Sequence, residues 1–220
     1  MTNFEYKPSM KEFEYMSTTD LGSSTSLVAN NGTLLFHYDN WKETKATITT
    51  SDSGNPTTLY NTEKHLRKPN IIIRTGDTTT SPPLAKVNLH CFSNKTDITF
   101  HPDATNSQSI TLQSRRTWSK KPEFSFSSSI FNTTLTWEIP SSWKGSTFVL
   151  LTESGTTLAR FELEPAMKKF HGKKMGRLEL MPEVMERKQE GVDEVVVTAY
   201  TVVQYWVTKR TNELAAITTV

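Results

Sequence analysis

The sequence predicts a mainly β domain: a closed antiparallel barrel of about twelve strands around a central hydrophobic C-terminal α-helix. Between residues 31 and 181, short apolar or alternating segments recur at intervals of about 8–12 residues with turn residues between them, as in sandwiches and barrels. Residues 195–207 carry no charged side chain and place Val, Tyr or Trp on every face of a helix, so they require a protein shell on all sides. A sheet closed around this helix supplies that shell and leaves no exposed strand edge.

Length, charge and cysteine content favour a single intracellular domain. The chain has 220 residues, and 25 Lys and Arg against 23 Asp and Glu give a net charge of +2, so no overall field predicts a nucleic-acid partner. Cys91 is the only cysteine, which excludes an internal disulfide, and the first residues lack the layout of a signal peptide. The apolar run is shorter than the roughly 18 residues that a membrane span needs. We therefore expect a cytoplasmic protein that is at most peripheral at a membrane.

Eleven strands are predicted individually, and the clearest evidence is a hairpin. Residues 84–92 alternate apolar and polar side chains and turn at Ser93 and Asn94 towards Ile98 and Phe100. The predicted strands are residues 33–38, 46–50, 71–73, 84–92, 98–100, 109–114, 123–131, 134–139, 147–152, 157–163 and 176–181. The barrel domain is expected to span residues 31–209, between a partly flexible N-terminal tail of residues 1–30 and a C-terminal tail of residues 210–220.

The helix is predicted from Asp193 to the basic pair Lys209 and Arg210. An N-cap at Asp193, with Glu194 in the first turn and cations in the last turn, fits the helix dipole. The many Val and Thr residues favour strands instead. We therefore expect this helix to form only inside a tertiary shell.

Several stretches resemble the tubby C-terminal-like fold, which tubby proteins, phospholipid scramblases and plant LURP-one-related proteins share, and in particular small fungal proteins of unknown function within that group. The similar stretches are Leu135-Thr136-Trp137, residues 153–161, residues 175–180, residues 192–199 and Tyr205-Trp206. The resemblance covers roughly residues 31–209. The resemblance implies a twelve-stranded barrel around one helix, and the motifs that carry it are structural. The phosphoinositide pocket of tubby proteins and the calcium site of scramblases have no matching positions in this sequence.

Two basic clusters are the candidate binding residues. Basic side chains around an aromatic ring can hold phosphate at a membrane surface, although short charge runs are more often solvated loops. The first cluster is Arg115, Arg116, Trp118, Lys120 and Lys121. The second is Lys168, Lys169, His171, Lys173, Lys174 and Arg177.

Catalytic, nucleotide and metal motifs are absent from the sequence. The five histidines have no metal-ligand spacing, although His90 and Asp97 are expected to meet across their hairpin turn. The carboxylates Glu153, Glu162 and Glu164 are expected to face water, and Cys91 to be a buried hydrophobe. No cofactor is predicted.

The sequence therefore favours a non-enzymatic binding or scaffold domain that contacts anionic phospholipid head groups through basic loops, with a protein partner as a further possibility. A carrier of a small apolar ligand in the barrel is the alternative. An enzyme of uncharacterised chemistry ranks third.

Overall fold

A computed structural model describes residues 32–39, 44–51, 56–90, 93–115, 122–140, 147–164 and 174–217, with side chains described up to Thr208. In this part of the chain, twelve antiparallel strands form a closed barrel in which each strand pairs with its neighbours in sequence and β1 pairs with β12. The strands are β1 Thr33–Tyr38, β2 Lys45–Thr50, β3 Thr58–Lys64, β4 Ile71–Thr75, β5 Pro83–Leu89, β6 Lys95–Phe100, β7 Gln108–Arg115, β8 Glu123–Ser128, β9 Thr133–Glu138, β10 Thr147–Thr152, β11 Thr157–Leu163 and β12 Lys174–Leu180. The predicted mainly β barrel is confirmed.

Two helices follow the last strand: α1 Pro182–Glu186 and α2 Lys188–Ile217. Helix α2 runs through the barrel, because every residue from Gly191 to Gln204 is buried. Residues on opposite walls contact it, as when Thr62 on β3 donates a hydrogen bond to the Tyr200 hydroxyl (2.7 Å) and Trp137 Nε1 on β9 donates to Thr198 Oγ1 (3.1 Å). The expectation that this segment is enclosed on all sides is confirmed up to Gln204, and the next four residues are half-buried.

The buried polar side chains of α2 find hydrogen-bond partners on the helix itself and on the barrel wall. Thr201 Oγ1 donates to the carbonyl of Val197 (2.7 Å), and Thr198 Oγ1 donates to that of Val195 (3.2 Å). Gln204 Nε2 donates to the Tyr38 hydroxyl (3.1 Å). A buried hydroxyl or amide without a partner would cost about 1–3 kcal/mol. These bonds remove that cost.

The predicted helix start at Asp193 is wrong. Helix α2 begins at Lys188, so Asp193 and Glu194 lie inside the helix and inside the barrel mouth, where they are 8% and 1% exposed. The turn before Asp193 contains Glu190 and Gly191 and still belongs to α2. The helix also continues past Lys209 and Arg210 to Ile217.

Strand β3 is not among the strands predicted from the sequence. Its inward side chains include Tyr60 and Thr62, which hydrogen-bond to α2, so the strand lacks the apolar alternation that identifies its neighbours. The predicted strand 123–131 was too long. It ends at Ser128 and is followed by a turn in which Asn132 has a positive φ of 53°.

Candidate functional site

The two ends of the barrel differ in charge. Successive strands run in opposite directions, so each odd-numbered strand ends where the next even-numbered strand begins. The last residues of β1, β3, β5, β7, β9 and β11 and the first residues of β2, β4, β6, β8, β10 and β12 therefore lie at the same end of the barrel. Five of these twelve terminal residues are basic and two are acidic. The basic ones are Lys45, Lys64, Lys95, Arg115 and Lys174, and the acidic ones are Glu123 and Glu138. None of the twelve terminal residues at the opposite end is charged. We call the first the basic end.

The opposite end is here called the acidic end, because most of the charged residues described in its connections are acidic. The acidic ones are Asp77, Asp103, Glu153, Glu183 and Glu186, and the exposed Arg187 and Lys188 at the start of α2 are basic. Helix α2 enters the barrel at this end, where Asp193 contacts Tyr60, and it leaves at the basic end, where Lys64 Nζ donates to Thr208 Oγ1 (3.2 Å).

Most of the predicted binding residues lie outside the described residues: Arg116, Trp118, Lys120, Lys121, Lys168, Lys169, His171 and Lys173. The strand ends that flank both clusters are described. Arg115 and Glu123 flank the first, Leu163 and Lys174 flank the second, and all four belong to the basic end. The described strand ends beside the two clusters therefore lie at the same end of the barrel, which the sequence alone did not reveal.

Arg177 is engaged in ion pairs on the outer wall. Its guanidinium contacts Glu162 (3.1 Å) and Glu179 (3.0 Å), and these partners offset its charge. Together with Lys174 and Glu164 it lines a shallow depression of about 470 Å³ across β11, β12 and β1. The two basic and two acidic side chains of this depression balance in charge, which disfavours an anionic ligand there.

The connection between β3 and β4, residues 65–70, adds an apolar side chain to the basic end. Leu66 is fully exposed and is followed by the exposed Arg67 and Lys68. The base of the loop is fixed, because the His65 amide donates to the Asn70 carbonyl (2.7 Å) and the Leu89 amide donates to Asn70 Oδ1 (2.8 Å). This loop is not among the predicted binding residues, although its Leu66-Arg67-Lys68 sequence combines an apolar side chain with two basic ones.

A predicted contact beside this loop is confirmed. His90 Nε2 lies 2.8 Å from Asp97 Oδ2, and Lys68 Nζ lies 3.3 Å from His90 Nδ1. The hydrogen bond from His90 lowers the pKa of Asp97. The three side chains hold the tip of β5 and β6 against the 65–70 loop.

The other predicted carboxylates are placed as expected. Glu153 and Glu164 are exposed, whereas Glu162 pairs with Arg160 and Arg177. Cys91 lies outside the described residues.

Comparisons of the chain with protein-family models, with curated proteins and with solved structures found no match. No helix in the described part of the chain is both long enough and apolar enough to cross a membrane.

Proposed function

We propose that the protein is a non-enzymatic, peripheral membrane-binding domain whose basic end contacts anionic phospholipid head groups. The barrel is proposed to belong to the tubby C-terminal-like group, and the twelve strands closed around one helix support that assignment. A cytoplasmic location fits the same proposal, because anionic lipids give the cytoplasmic leaflet a negative surface potential.

The observation that carries the proposal is the convergence of basic groups on one end of the barrel. The flanking residues of both sequence clusters, the strand termini and the 65–70 loop all belong to that end. Each Lys or Arg near an anionic surface contributes about 1 kcal/mol, and this contribution falls within a Debye length. Because the strand termini at the other end are uncharged, an anionic membrane is expected to attract the basic end first.

Leu66 supports a membrane in preference to a soluble phosphate compound. Exposed apolar side chains are ordinary when scattered, but this one is the only large hydrophobic side chain that is fully exposed among the described residues. It lies between His65 and Arg67. Insertion of such a side chain below the head groups removes its apolar surface from water, while its basic neighbours remain at the phosphates.

Vesicle co-sedimentation tests the proposal. The full chain is expected to partition at least tenfold more strongly to phosphatidylcholine vesicles containing about 30% phosphatidylserine than to pure phosphatidylcholine, with most of the difference lost between low and high salt. Equal partitioning to both vesicles at low salt would reject the proposal.

The double variant Arg67→Glu and Lys68→Glu is expected to partition at least tenfold more weakly to the anionic vesicles, because two attractive contributions of about 1 kcal/mol each become repulsive. The matched control is the double reversal Arg187→Glu and Lys188→Glu, which changes the same charge with exposed residues at the acidic end. This control should leave partitioning nearly unchanged. Equal losses in the two double variants would mean that only net charge matters and that the basic end has no special role.

Replacement of Leu66 by serine is expected to lower partitioning to anionic vesicles about tenfold, since burying a leucine side chain contributes roughly 1.5–3 kcal/mol. Folding stability should not change, because the side chain has no packing to lose. Chemical denaturation checks stability, and co-sedimentation checks binding. Unchanged partitioning of Leu66→Ser would exclude insertion of this loop, while leaving the electrostatic contact to be judged by the charge reversals.

The pocket at the acidic end is lined by three carboxylates of α2, Glu190, Asp193 and Glu194, which do not suit an apolar ligand. The alternative function, a carrier of an apolar ligand, therefore has weaker support and stays a prediction.

A further inference from the structure

A pocket of about 200 Å³ opens at the acidic end, opposite the proposed membrane contact. Phe100 and Ile130 form apolar parts of its wall, and Asn106 and Gln108 add side-chain amides. Its floor is the first buried part of α2. At about 30 Å³ for each water molecule, the volume corresponds to roughly six or seven waters. A ligand of a few non-hydrogen atoms would fill it.

Glu194, at the floor of this pocket, has an unused acceptor. Its carboxylate is 1% exposed, and Ser128 on β8 donates a hydrogen bond to Oε1. The other oxygen, Oε2, is buried and has no hydrogen-bond partner among the described residues. Leaving a buried charged oxygen unpaired is costly, and each such atom in a folded protein requires an explanation. A donor in the pocket would remove this cost.

The neighbouring groups favour a positively charged donor. Asp193 and Glu190 line the same pocket from α2, and His101 faces it from the connection between β6 and β7. The Asp193 carboxylate already accepts bonds at Oδ1 from the Tyr60 hydroxyl (2.6 Å) and from Gln189 Nε2 (2.7 Å), which hold it in place. Arg187 lies over the Phe131 ring at 5.9 Å and does not line the pocket. The pocket therefore presents several carboxylates and no lysine or arginine.

We propose that this pocket binds a small primary ammonium compound, with the ammonium group donating to Glu194 Oε2 and the carbon chain packing on Phe100 and Ile130. An organic cation fits better than a metal ion, because the described residues contain no group of three His, Cys, Asp or Glu side chains arranged to hold a metal. The amide oxygens of Asn106 and Gln108 can accept the remaining ammonium protons. The aromatic face of Phe100 also attracts a cation.

Binding of such a ligand is linked to protons. Burial raises the pKa of Glu194 to about 7, although the hydrogen bond from Ser128 lowers it. Burial also raises the pKa of Asp193. An ammonium ion stabilises the ionised carboxylate. Affinity is therefore expected to rise from pH 5.5 to pH 8, with release of a proton on binding near pH 7.

Isothermal titration of the full chain with n-butylammonium chloride at pH 8 tests the proposal. Saturable one-to-one binding is expected, with at least tenfold weaker binding at pH 5.5 and none of n-butanol, which lacks the charge. Butyltrimethylammonium, which has no N–H to donate, should bind at least tenfold more weakly. Binding with an equal affinity for the alcohol, or no dependence on pH, would overturn the assignment, as would the absence of any heat from n-butylammonium up to millimolar concentrations.

The variant Glu194→Gln should lose at least tenfold in affinity, whereas Glu153→Gln, an exposed carboxylate at the same end, should bind as the original chain does. Ile130→Trp provides a second test that fills the pocket without touching the carboxylate, and it should also abolish binding. Equal binding by Glu194→Gln and the original chain would overturn the assignment. None of these measurements involves vesicles, so their outcome is independent of the proposed membrane contact.

Discussion

Replacing Trp137 with alanine is expected to lower the free energy of unfolding by about 3–5 kcal/mol, the range for removing a large aromatic side chain from a packed core. The indole is fully buried on β9 and donates to Thr198 on α2. Alanine would leave a cavity between wall and helix and remove the donor to Thr198. Chemical denaturation followed by circular dichroism measures the change.

The matched control is Trp206→Ala. Trp206 is half-buried near the basic end, where its ring packs edge-on against Phe148 at a centroid distance of 6.2 Å. Its loss should cost clearly less than the loss of Trp137, because its side chain removes less surface from water. Equal losses of unfolding free energy in the two variants would contradict a helix that is more deeply enclosed at Thr198 than at the basic end, where it leaves the barrel.

Glu194→Gln is expected to stabilise the protein at pH 8 by up to about 3 kcal/mol and to have little effect at pH 5. Burial raises the pKa of Glu194 from 4.5 to about 7, so the folded chain holds a proton between these values that the unfolded chain has lost. Since the folded state then binds more protons, stability falls as the pH rises from about 4.5 to 7 and is constant above. A shift of this size corresponds to roughly 1.4 kcal/mol for each pH unit.

Denaturation with guanidinium at pH 5, 6, 7 and 8 measures this dependence. The original chain should lose stability across the series, and Glu194→Gln should lose less, with a remaining slope from Asp193, whose pKa is also raised by burial. Glu153→Gln is the control for removing an exposed carboxylate at the same end. An identical pH dependence in the original chain and Glu194→Gln would show that Glu194 is not buried as described.

The sequence predicted the wall and the helix because their signals are local. Alternation along residues 84–89 and the uncharged run after Glu194 are readable one segment at a time. Strand β3 escaped prediction because Tyr60 and Thr62 are polar inward residues, and their partners on α2 are more than 120 positions away. Only the folded arrangement makes them core residues.

The candidate sites also combine local sequence signals with features that only the folded chain shows. The two basic clusters are visible in the sequence. That the described strand ends beside them lie at one end of the barrel follows from the alternation of twelve strands, which no single segment contains. The pocket at the acidic end was not predicted. Asp193 and Glu194 resemble ordinary helix-capping acids in sequence, and their burial results from a helix that begins five residues earlier at Lys188.

Cysteine accessibility tests the enclosure of α2 most directly. Val195, Val196, Val197 and Thr198 project at successive steps of about 100° and so sample all sides of the helix. Single cysteines at these positions, in a Cys91→Ser background, are expected to react with a thiol reagent only as fast as the whole protein unfolds, whereas cysteine at the exposed Ser109 should react at once. Fast labelling at any one of the four, in a folded protein, would show a side of the helix open to water and would contradict a helix enclosed by the barrel.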